Sequence, residues 1–173
     1  MHRKSKPAPS ARDHRTPPPD AITCTPIGVV RSPYTERHGT PRQPTAESVT
    51  HGADPQAGRI ELDPSVIPER ALKDLDGFEY VWVVAWLHLN KNWPAWVFPP
   101  RGPRVRRGVL ATRAPHRPNP IGLSALRLIR VEGHTLHVEG LDLIDGTPVL
   151  DIKPYVPYAD AFPDAAAGWI DTL

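Results

Sequence analysis

The loop "ATRAPHRPNP" (111–120) concentrates positive charge on a stiff backbone. It carries Arg113, Arg117 and Asn119 among three prolines, and it contains no acidic residue. Each proline fixes its own φ angle and pushes the preceding residue toward extended geometry. Binding to a preorganised loop costs less conformational entropy, so two arginines held in this way could clamp an anionic group. The same residues fit a structural corner equally well, and both interpretations stay open.

A second polar stretch, "LDLIDGTPVLDIKPY" (141–155), places Asp142, Asp145, Asp151 and Lys153 at predicted strand ends and a turn. One interpretation is turn chemistry at Asp145 and a surface ion pair between Asp151 and Lys153, and such pairs contribute little to stability. The other is a set of acceptors for the hydroxyl or amino groups of a ligand. His88, at the end of "YVWVVAWLHL", is either a structural histidine or an imidazole at the rim of a pocket.

Several kinds of functional site lack their signatures. The sequence has no G-x-G-x-x-G or Walker loop and no G-x-S-x-G around a serine. His134 and His137 would point to opposite faces of a predicted strand, so no metal site is predicted. Cys24 is the single cysteine, which excludes an internal disulfide and fits a reducing cytoplasm. No apolar run approaches the ~18 residues that span a membrane, and we expect a cytoplasmic protein.

Charge is distributed unevenly along the chain. Residues 1–79 carry 11 basic and 11 acidic residues, residues 80–131 carry nine basic residues and no acid, and residues 132–173 carry one lysine and eight acids. The middle third therefore predicts a positive surface that attracts a polyanion. Arg104, Arg106 and Arg107 in "RGPRVRRG" are the candidates for contacting RNA phosphates, although a solvated loop has the same composition.

Short segments with β-branched or aromatic residues, bounded by turn residues, predict seven strands. They lie at 27–32, 58–62, 80–89, 107–112, 123–131, 134–140 and 148–155. Turns are predicted at 131–135 and 144–148, and a helix only at 68–77. Residues 1–20 predict a disordered, basic, proline-rich tail. Many short strands with little helix favour a closed or nearly closed antiparallel β architecture.

Three stretches resemble the TsaA-like, or TrmO-like, family. They are "IGVVRSPYTERHGTPRQP" (27–44), "GVLATRAPHRPNPIGLS" (108–124) and "LDLIDGTPVLDIKPYVPYAD" (141–160). The combination of R-P-N-P-I-G with D-G-T-P-V-x-D-I-K-P is specific, and the resemblance runs from about Ile27 to Asp164. Characterised members are S-adenosylmethionine-dependent tRNA methyltransferases that act on N6 of threonylcarbamoyladenosine at position 37, beside the anticodon.

The resemblance implies a fold, a cofactor and an assembly. The expected fold is mainly all-β, a compact antiparallel β-barrel with little helix rather than a Rossmann fold, in one domain over residues 21–173. The expected methyl donor is S-adenosylmethionine and the expected partner is tRNA. A homodimer is expected, with the cofactor site near its interface. Four large aromatic residues in a short segment also favour a core or an interface: Trp82, Trp86, Trp93 and Trp96.

Matching positions to the family assigns candidate residues. The expected cofactor-binding residues are Arg42, Gln43, Pro44, His88, Arg113, Leu123, Leu141, Asp142, Leu143, Ile144 and Asp145. Arg117 and Asn119 are expected on the substrate side. The lone pair of N6 is delocalised into the ring and the ureido carbonyl, so loss of its proton should assist attack. The candidates for that catalytic work are His88, Asp151, Lys153 and Tyr155.

Two other functions stay open at this point. Longer members of the family continue beyond the "PDA" motif, whereas this sequence ends at Leu173. The same cofactor chemistry could therefore act on another RNA or on a small molecule. A non-catalytic module that binds S-adenosylmethionine or RNA would also use the basic middle third.

Overall fold

The computed structural model describes residues 19–36, 39–41 and 57–173. This part of the chain contains eight strands, most of them rich in β-branched or aromatic residues. They are β1 (Gly28–Arg31), β2 (Gly58–Leu62), β3 (Tyr80–Trp86), β4 (Trp96–Val97), β5 (Arg107–Gly108), β6 (Ile121–Glu132), β7 (Thr135–Glu139) and β8 (Pro148–Pro154).

Six of these strands close into a barrel in the order β1-β2-β7-β6-β3-β8, and β8 pairs with β1. Every pair in the barrel is antiparallel. β3 lies between β6 and β8, so Val84 is opposite both Leu123 and Asp151. The predicted antiparallel β-barrel with little helix is confirmed, and a Rossmann fold is excluded.

Alternation along each strand separates the interior of the barrel from its outer surface. In β3, Val81, Val83 and Ala85 are fully buried, whereas Trp82 and Val84 on the other face are half-buried. The buried set is apolar and comes from every barrel strand and from the segment before β8. It consists of Val30, Ile60, Leu62, Val81, Val83, Ala85, Leu126, Leu128, Leu136, Val138, Leu141, Leu143 and Val149. Burial of this surface is the main term that stabilises the fold.

The helix predicted over 68–77 is wrong. The structure has two 3₁₀ segments there, Glu69–Leu72 and Leu75–Gly77. Asp74 between them has a φ of 66°, a left-handed conformation that interrupts a helix. Leu72 at the end of the first segment and Leu75 at the start of the second both pack half-buried against the core.

Two predicted strands are shorter than expected. The segment 107–112 is a strand only over Arg107–Gly108, and a 3₁₀ turn follows at Val109–Ala111. The Thr112 hydroxyl donates to the Val109 carbonyl at 2.9 Å, so this carbonyl has a hydrogen-bond partner within the loop. In the segment 80–89, the strand ends at Trp86. A short helix, α1 (Pro157–Asp160), and a 3₁₀ segment, Gly168–Thr172, were not predicted.

Both predicted turns are present. β6 and β7 form a hairpin whose turn lies within the predicted 131–135 segment. The second turn, at Asp145 and Gly146, precedes β8, and Gly146 has a φ of 76° that a residue with a side chain rarely adopts. The predicted tail overlaps the described residues only at Pro19 and Asp20 and otherwise lies outside them. Among the described residues, no helix is long and apolar enough to cross a membrane.

Candidate functional site

One end of the barrel brings together three segments that the sequence analysis selected for a ligand. β3 ends and β6 begins there side by side, and the Leu87 N–H donates to the Pro120 carbonyl at 2.7 Å. The connection between β7 and β8 lies at the same end, because the Ser124 hydroxyl donates to the Asp142 carboxylate at 2.6 Å. We call this region, residues 86–88, 111–124 and 140–147, the barrel-end site.

Asp142 has the most perturbed ionisation in this site. Burial raises the pKa of its carboxyl from 3.8 to about 6. The hydrogen bond from Ser124 and the positive charge of Arg113 both lower this pKa, but they do not offset the loss of hydration. A carboxyl group with such a pKa, facing an arginine at the end of an apolar barrel, has the character of a ligand-binding group.

The segment around Asp142 is held by its neighbours on both sides. Leu141 and Leu143 are buried in the core, so only their backbone can face a ligand. The Ile144 carbonyl accepts the Thr147 hydroxyl at 2.6 Å. The Asp145 carboxylate accepts the Ser32 N–H at 3.0 Å, and the Asp145 N–H donates to the Tyr34 carbonyl at 2.7 Å. Asp145 therefore ties the barrel-end site to the segment that follows β1.

The loop 111–120 is braced from within. The Arg117 guanidinium donates to the carbonyls of Val109 at 3.1 Å and of Thr112 at 2.8 Å. Arg113 is exposed, and its charge acts on Asp142. Asn119 is exposed, and its backbone carbonyl accepts the Ile121 N–H at 2.7 Å. The loop is thus a structural corner that also presents Arg113 to the barrel-end site, and the contact of Arg117 and Asn119 with a substrate stays a prediction.

The four catalytic candidates do not lie together. His88 is exposed just beyond β3, at the barrel-end site. Asp151 lies halfway along β8, and Lys153 pairs with it at 2.7 Å on the outer surface. Tyr155 follows β8 at the opposite end of the barrel, where its ring is 5.4 Å from that of Trp82. Val84 is opposite both Asp151 and Leu123, so Asp151 lies level with part of the barrel-end site. The catalytic roles stay predictions.

The arginines of "RGPRVRRG" lie on aromatic rings. The guanidinium carbons of Arg104 and Arg106 are 5.1 and 5.5 Å from the centroid of the Phe98 ring. That of Arg107 is 5.1 Å from the Trp169 ring, and the Trp169 indole N–H donates to the Ala111 carbonyl at 2.8 Å. The segment 168–173 therefore packs against the arginine-rich segment and the start of the loop 111–120.

The remaining predicted residues divide into two groups. Leu123 is 56% exposed on the outer face of β6, beside Val84. Arg42, Gln43 and Pro44 lie outside the residues that the structure describes. Within 19–36, 39–41 and 57–173, no group of His, Cys, Asp and Glu side chains is arranged to hold a metal.

Sequence reasoning missed Ser124 and Trp169. Ser124 is buried on the inward face of β6, in register with Leu126 and Leu128. A polar residue on the buried face of a strand needs a partner, and that alternation was the available signal. Trp169 carried no signal, because its partners lie about 60 residues earlier in the chain.

Comparison with known proteins agrees with this geometry. Residues 29–161 match the model of the tRNA-methyltransferase O N-terminal domain. The chain belongs to this family. It is 41% identical over 150 residues to the tRNA (adenine(37)-N6)-methyltransferase of Escherichia coli, which covers 83% of this chain and 61% of that protein. A crystal structure of TrmO from Pseudomonas aeruginosa superposes with a TM-score of 0.70 at 42% identity, over 87% of this chain and 63% of that one.

A relative of more similar length carries a different name. The probable S-adenosyl-L-methionine-binding protein of Pyrococcus abyssi is 37% identical over 155 residues, which is 88% of this chain and 78% of that protein. The chain spans about three-fifths of the length of the Escherichia coli relative. Membership of this family is consistent with the observed β-barrel and with the sequence motifs at the barrel-end site.

Proposed function

We propose that this protein is a methyltransferase that uses S-adenosylmethionine to methylate N6 of adenine 37 in tRNA, with threonylcarbamoyladenosine as the form it accepts. The observation that carries the proposal is the Asp142 carboxylate, largely buried at the end of the barrel, hydrogen-bonded to Ser124 and facing Arg113. The names of the relatives in Escherichia coli and Pyrococcus abyssi support the reaction and the cofactor. A tRNA substrate also agrees with the predicted cytoplasmic location.

The side chains at the barrel-end site fit this cofactor chemically. S-adenosylmethionine has hydroxyl and ammonium donors, a carboxylate and an apolar purine face. Asp142 is an acceptor for the donors, and Arg113 is a cation for the carboxylate. Leu123 offers an exposed apolar surface. The site therefore contains one group of each kind that the cofactor requires.

The contributions of these residues to the reaction are alignment and exclusion of water. S-adenosylmethionine, when bound, supplies a methyl group on a sulfonium, which is already a good leaving group. The braced loop 111–120 holds Arg113 on a backbone that Arg117 fixes through two hydrogen bonds. Preorganisation of this kind lowers the entropy cost of reaching an in-line geometry. The apolar side chains around Asp142 keep the local dielectric low.

We propose His88 as the group that accepts the N6 proton. It follows β3 within the barrel-end site, and its exposed position leaves the imidazole accessible to a base from the RNA. Lys153 neutralises Asp151 in an ion pair on the outer surface. We therefore place this pair and Tyr155 second among the candidates.

A homodimer with the cofactor site near its interface remains part of the proposal. Trp86, Ile121 and Leu123 expose apolar surface on the outer face of β3 and β6, next to the barrel-end site. Contiguous exposed apolar surface is typical of protein interfaces. Light scattering at micromolar concentration should give twice the chain mass, and a monomer would remove the dimer from the proposal.

The substrate can be tested in cells. A strain without this protein is analysed by mass spectrometry of tRNA nucleosides, with re-expression of the wild type and of Arg113→Ala. The N6-methylated form of threonylcarbamoyladenosine should disappear and return only with the wild type. An unchanged nucleoside profile in this strain, together with binding of S-adenosylmethionine by the purified protein, would favour another RNA, a small molecule or a non-catalytic role.

A further inference from the structure

The strands β4 and β5 form a two-stranded ribbon outside the barrel, and its two faces differ. Trp96 is opposite Gly108, and Val97 is opposite Arg107. Phe98 and Arg106, next in the chain, extend this register by one position. Because side chains alternate between faces, Trp96 and Phe98 share one face with Arg106, while Val97 and Arg107 share the other.

One face of the ribbon is covered by the chain itself. Arg107 lies over the ring of Trp169, and the Trp169 indole N–H is bonded to the Ala111 carbonyl. Val97, Arg107 and Trp169 are accordingly half-buried. The covering segment, Gly168–Thr172, fixes the ribbon beside the loop 111–120.

The opposite face is open and combines aromatic and cationic groups. Trp96 is 62% exposed and Phe98 is 47% exposed. Arg104 and Arg106 both lie over the Phe98 ring, at 5.1 and 5.5 Å. We call this surface, formed by Trp96, Phe98, Arg104 and Arg106, the open ribbon face. No acidic residue occurs between positions 80 and 131, so the segment itself supplies no carboxylate partner for these arginines.

These groups match the chemistry of unpaired nucleotides. Exposed aromatic rings stack on bases, and stacking requires a base that is not already enclosed in a duplex. A guanidinium that lies flat on a ring keeps its N–H edges available for phosphate. Duplex RNA would offer phosphates to the arginines but no base face to Trp96.

We propose that the open ribbon face binds unpaired nucleotides of RNA, by stacking of a base on Trp96 and by contacts of Arg104 and Arg106, which lie over the Phe98 ring, with phosphates. The inference deepens the proposed function, because it names the single-stranded loop around the target adenine as the element that is recognised. Binding at this face needs no cofactor, so it can be measured independently of methyl transfer.

The test compares a single-stranded oligouridylate with a blunt-ended RNA duplex that contains the same number of phosphates and no unpaired nucleotide. Fluorescence polarisation is measured with the full chain, without S-adenosylmethionine, over a salt series. The wild type should bind the single strand more tightly than the duplex. Trp96→Ala should weaken single-strand binding by about 5- to 150-fold, the contribution of one stacked base. The same change should leave the weak duplex binding almost unaltered.

Two further variants separate the contributions. Arg104→Gln with Arg106→Gln should flatten the dependence of log affinity on log salt by about 0.7 per lost phosphate contact. Tyr158→Ala and Arg130→Ala are the matched controls, because both residues are exposed and lie away from the ribbon. They should leave affinity and slope unchanged. Trp96→Leu, which keeps the ribbon apolar, should lose stacking without loss of folding.

Three results would overturn the proposal. Equal affinity for single strand and duplex would show that Trp96 does not read unpaired bases. Unchanged single-strand affinity in both Trp96→Ala and Trp96→Leu would remove the open ribbon face from RNA binding. A change in oligomeric state without a change in RNA affinity would assign this face to contact between copies of the chain. Methyl transfer that fails while single-strand binding behaves as described would count against the proposed function alone.

Discussion

Replacement of Asp142 by asparagine tests whether burial of the ionised Asp142 carboxylate in the barrel-end site lowers the free energy of unfolding. Burial raises the pKa of this group from 3.8 to about 6. Between these two values the folded protein binds more protons than the unfolded chain, so the free energy of unfolding falls as pH rises through this window. Asp142→Asn removes the titration and keeps an oxygen that accepts the Ser124 hydroxyl. We therefore expect the variant to be more stable than the wild type at neutral pH.

The magnitude follows from the two pKa values. The interval from 3.8 to about 6 corresponds to about 3 kcal/mol at pH 8, where the group is ionised in both states. The same values give about 2 kcal/mol at pH 5.5 and about 0.5 kcal/mol at pH 4. For a domain of this size, about 3 kcal/mol shifts the melting temperature by about 6–12 °C.

The assay is urea unfolding of wild type and Asp142→Asn at pH 4, 5.5 and 8, followed by tryptophan fluorescence. The stability difference between the two proteins isolates this carboxyl from all other titrating groups. Ser124→Ala is the companion variant: its lost hydrogen bond should raise the pKa of Asp142 further and extend the fall in stability to higher pH. A difference that stays constant across the three pH values would refute the reasoning.

Three other predictions concern the loop, the covering segment and the barrel. Arg113→Ala should weaken S-adenosylmethionine binding by about 10- to 150-fold in calorimetry, the effect of one charge-assisted bond; unchanged affinity in a folded variant would remove Arg113 from the site. Trp169→Phe keeps an aromatic ring beside Arg107 but loses the indole N–H bond, so chemical denaturation should show a loss of about 0.5–1.5 kcal/mol. Gly28→Ala would place a Cβ 2.5 Å from a backbone carbonyl oxygen of β2 and should cost about 1–3 kcal/mol or more. Gly77→Ala, which meets no atom within 4 Å, is the control for Gly28→Ala and should be nearly neutral.

Strand periodicity and turn residues predicted a closed or nearly closed antiparallel β architecture, and the family resemblance added the compact barrel. The alternation in β3, with Val81, Val83 and Ala85 inward, follows directly from the sequence. Two of the errors have local causes. A left-handed Asp74 breaks the helix predicted over 68–77, and the Thr112 hydroxyl satisfies the Val109 carbonyl in a turn where a strand was predicted. Neither a left-handed residue nor a side-chain bond of this kind is encoded in hydrophobic periodicity.

Only part of the candidate site could be predicted from the sequence. Motif residues such as Arg113 and Asp142 are recognisable because the resemblance fixes their positions. What sets the ionisation of Asp142 is its burial and its contact with Ser124, 18 residues earlier in the chain. Long-range pairs of this kind depend on strand register. The register is known only when the pairing of the strands in the closed barrel is known.

The central claim is tested most directly by methyl transfer in a purified system. Wild-type protein is incubated with S-adenosylmethionine labelled in its methyl group and with tRNA that carries threonylcarbamoyladenosine at position 37, and the digested nucleosides are separated by mass spectrometry. Identical tRNA with unmodified adenine 37 is the matched control. We expect label on N6 of threonylcarbamoyladenosine, no label in the control, and a loss of transfer in Arg113→Ala. Label on another nucleoside, or bound cofactor without transfer to either tRNA, would contradict the account.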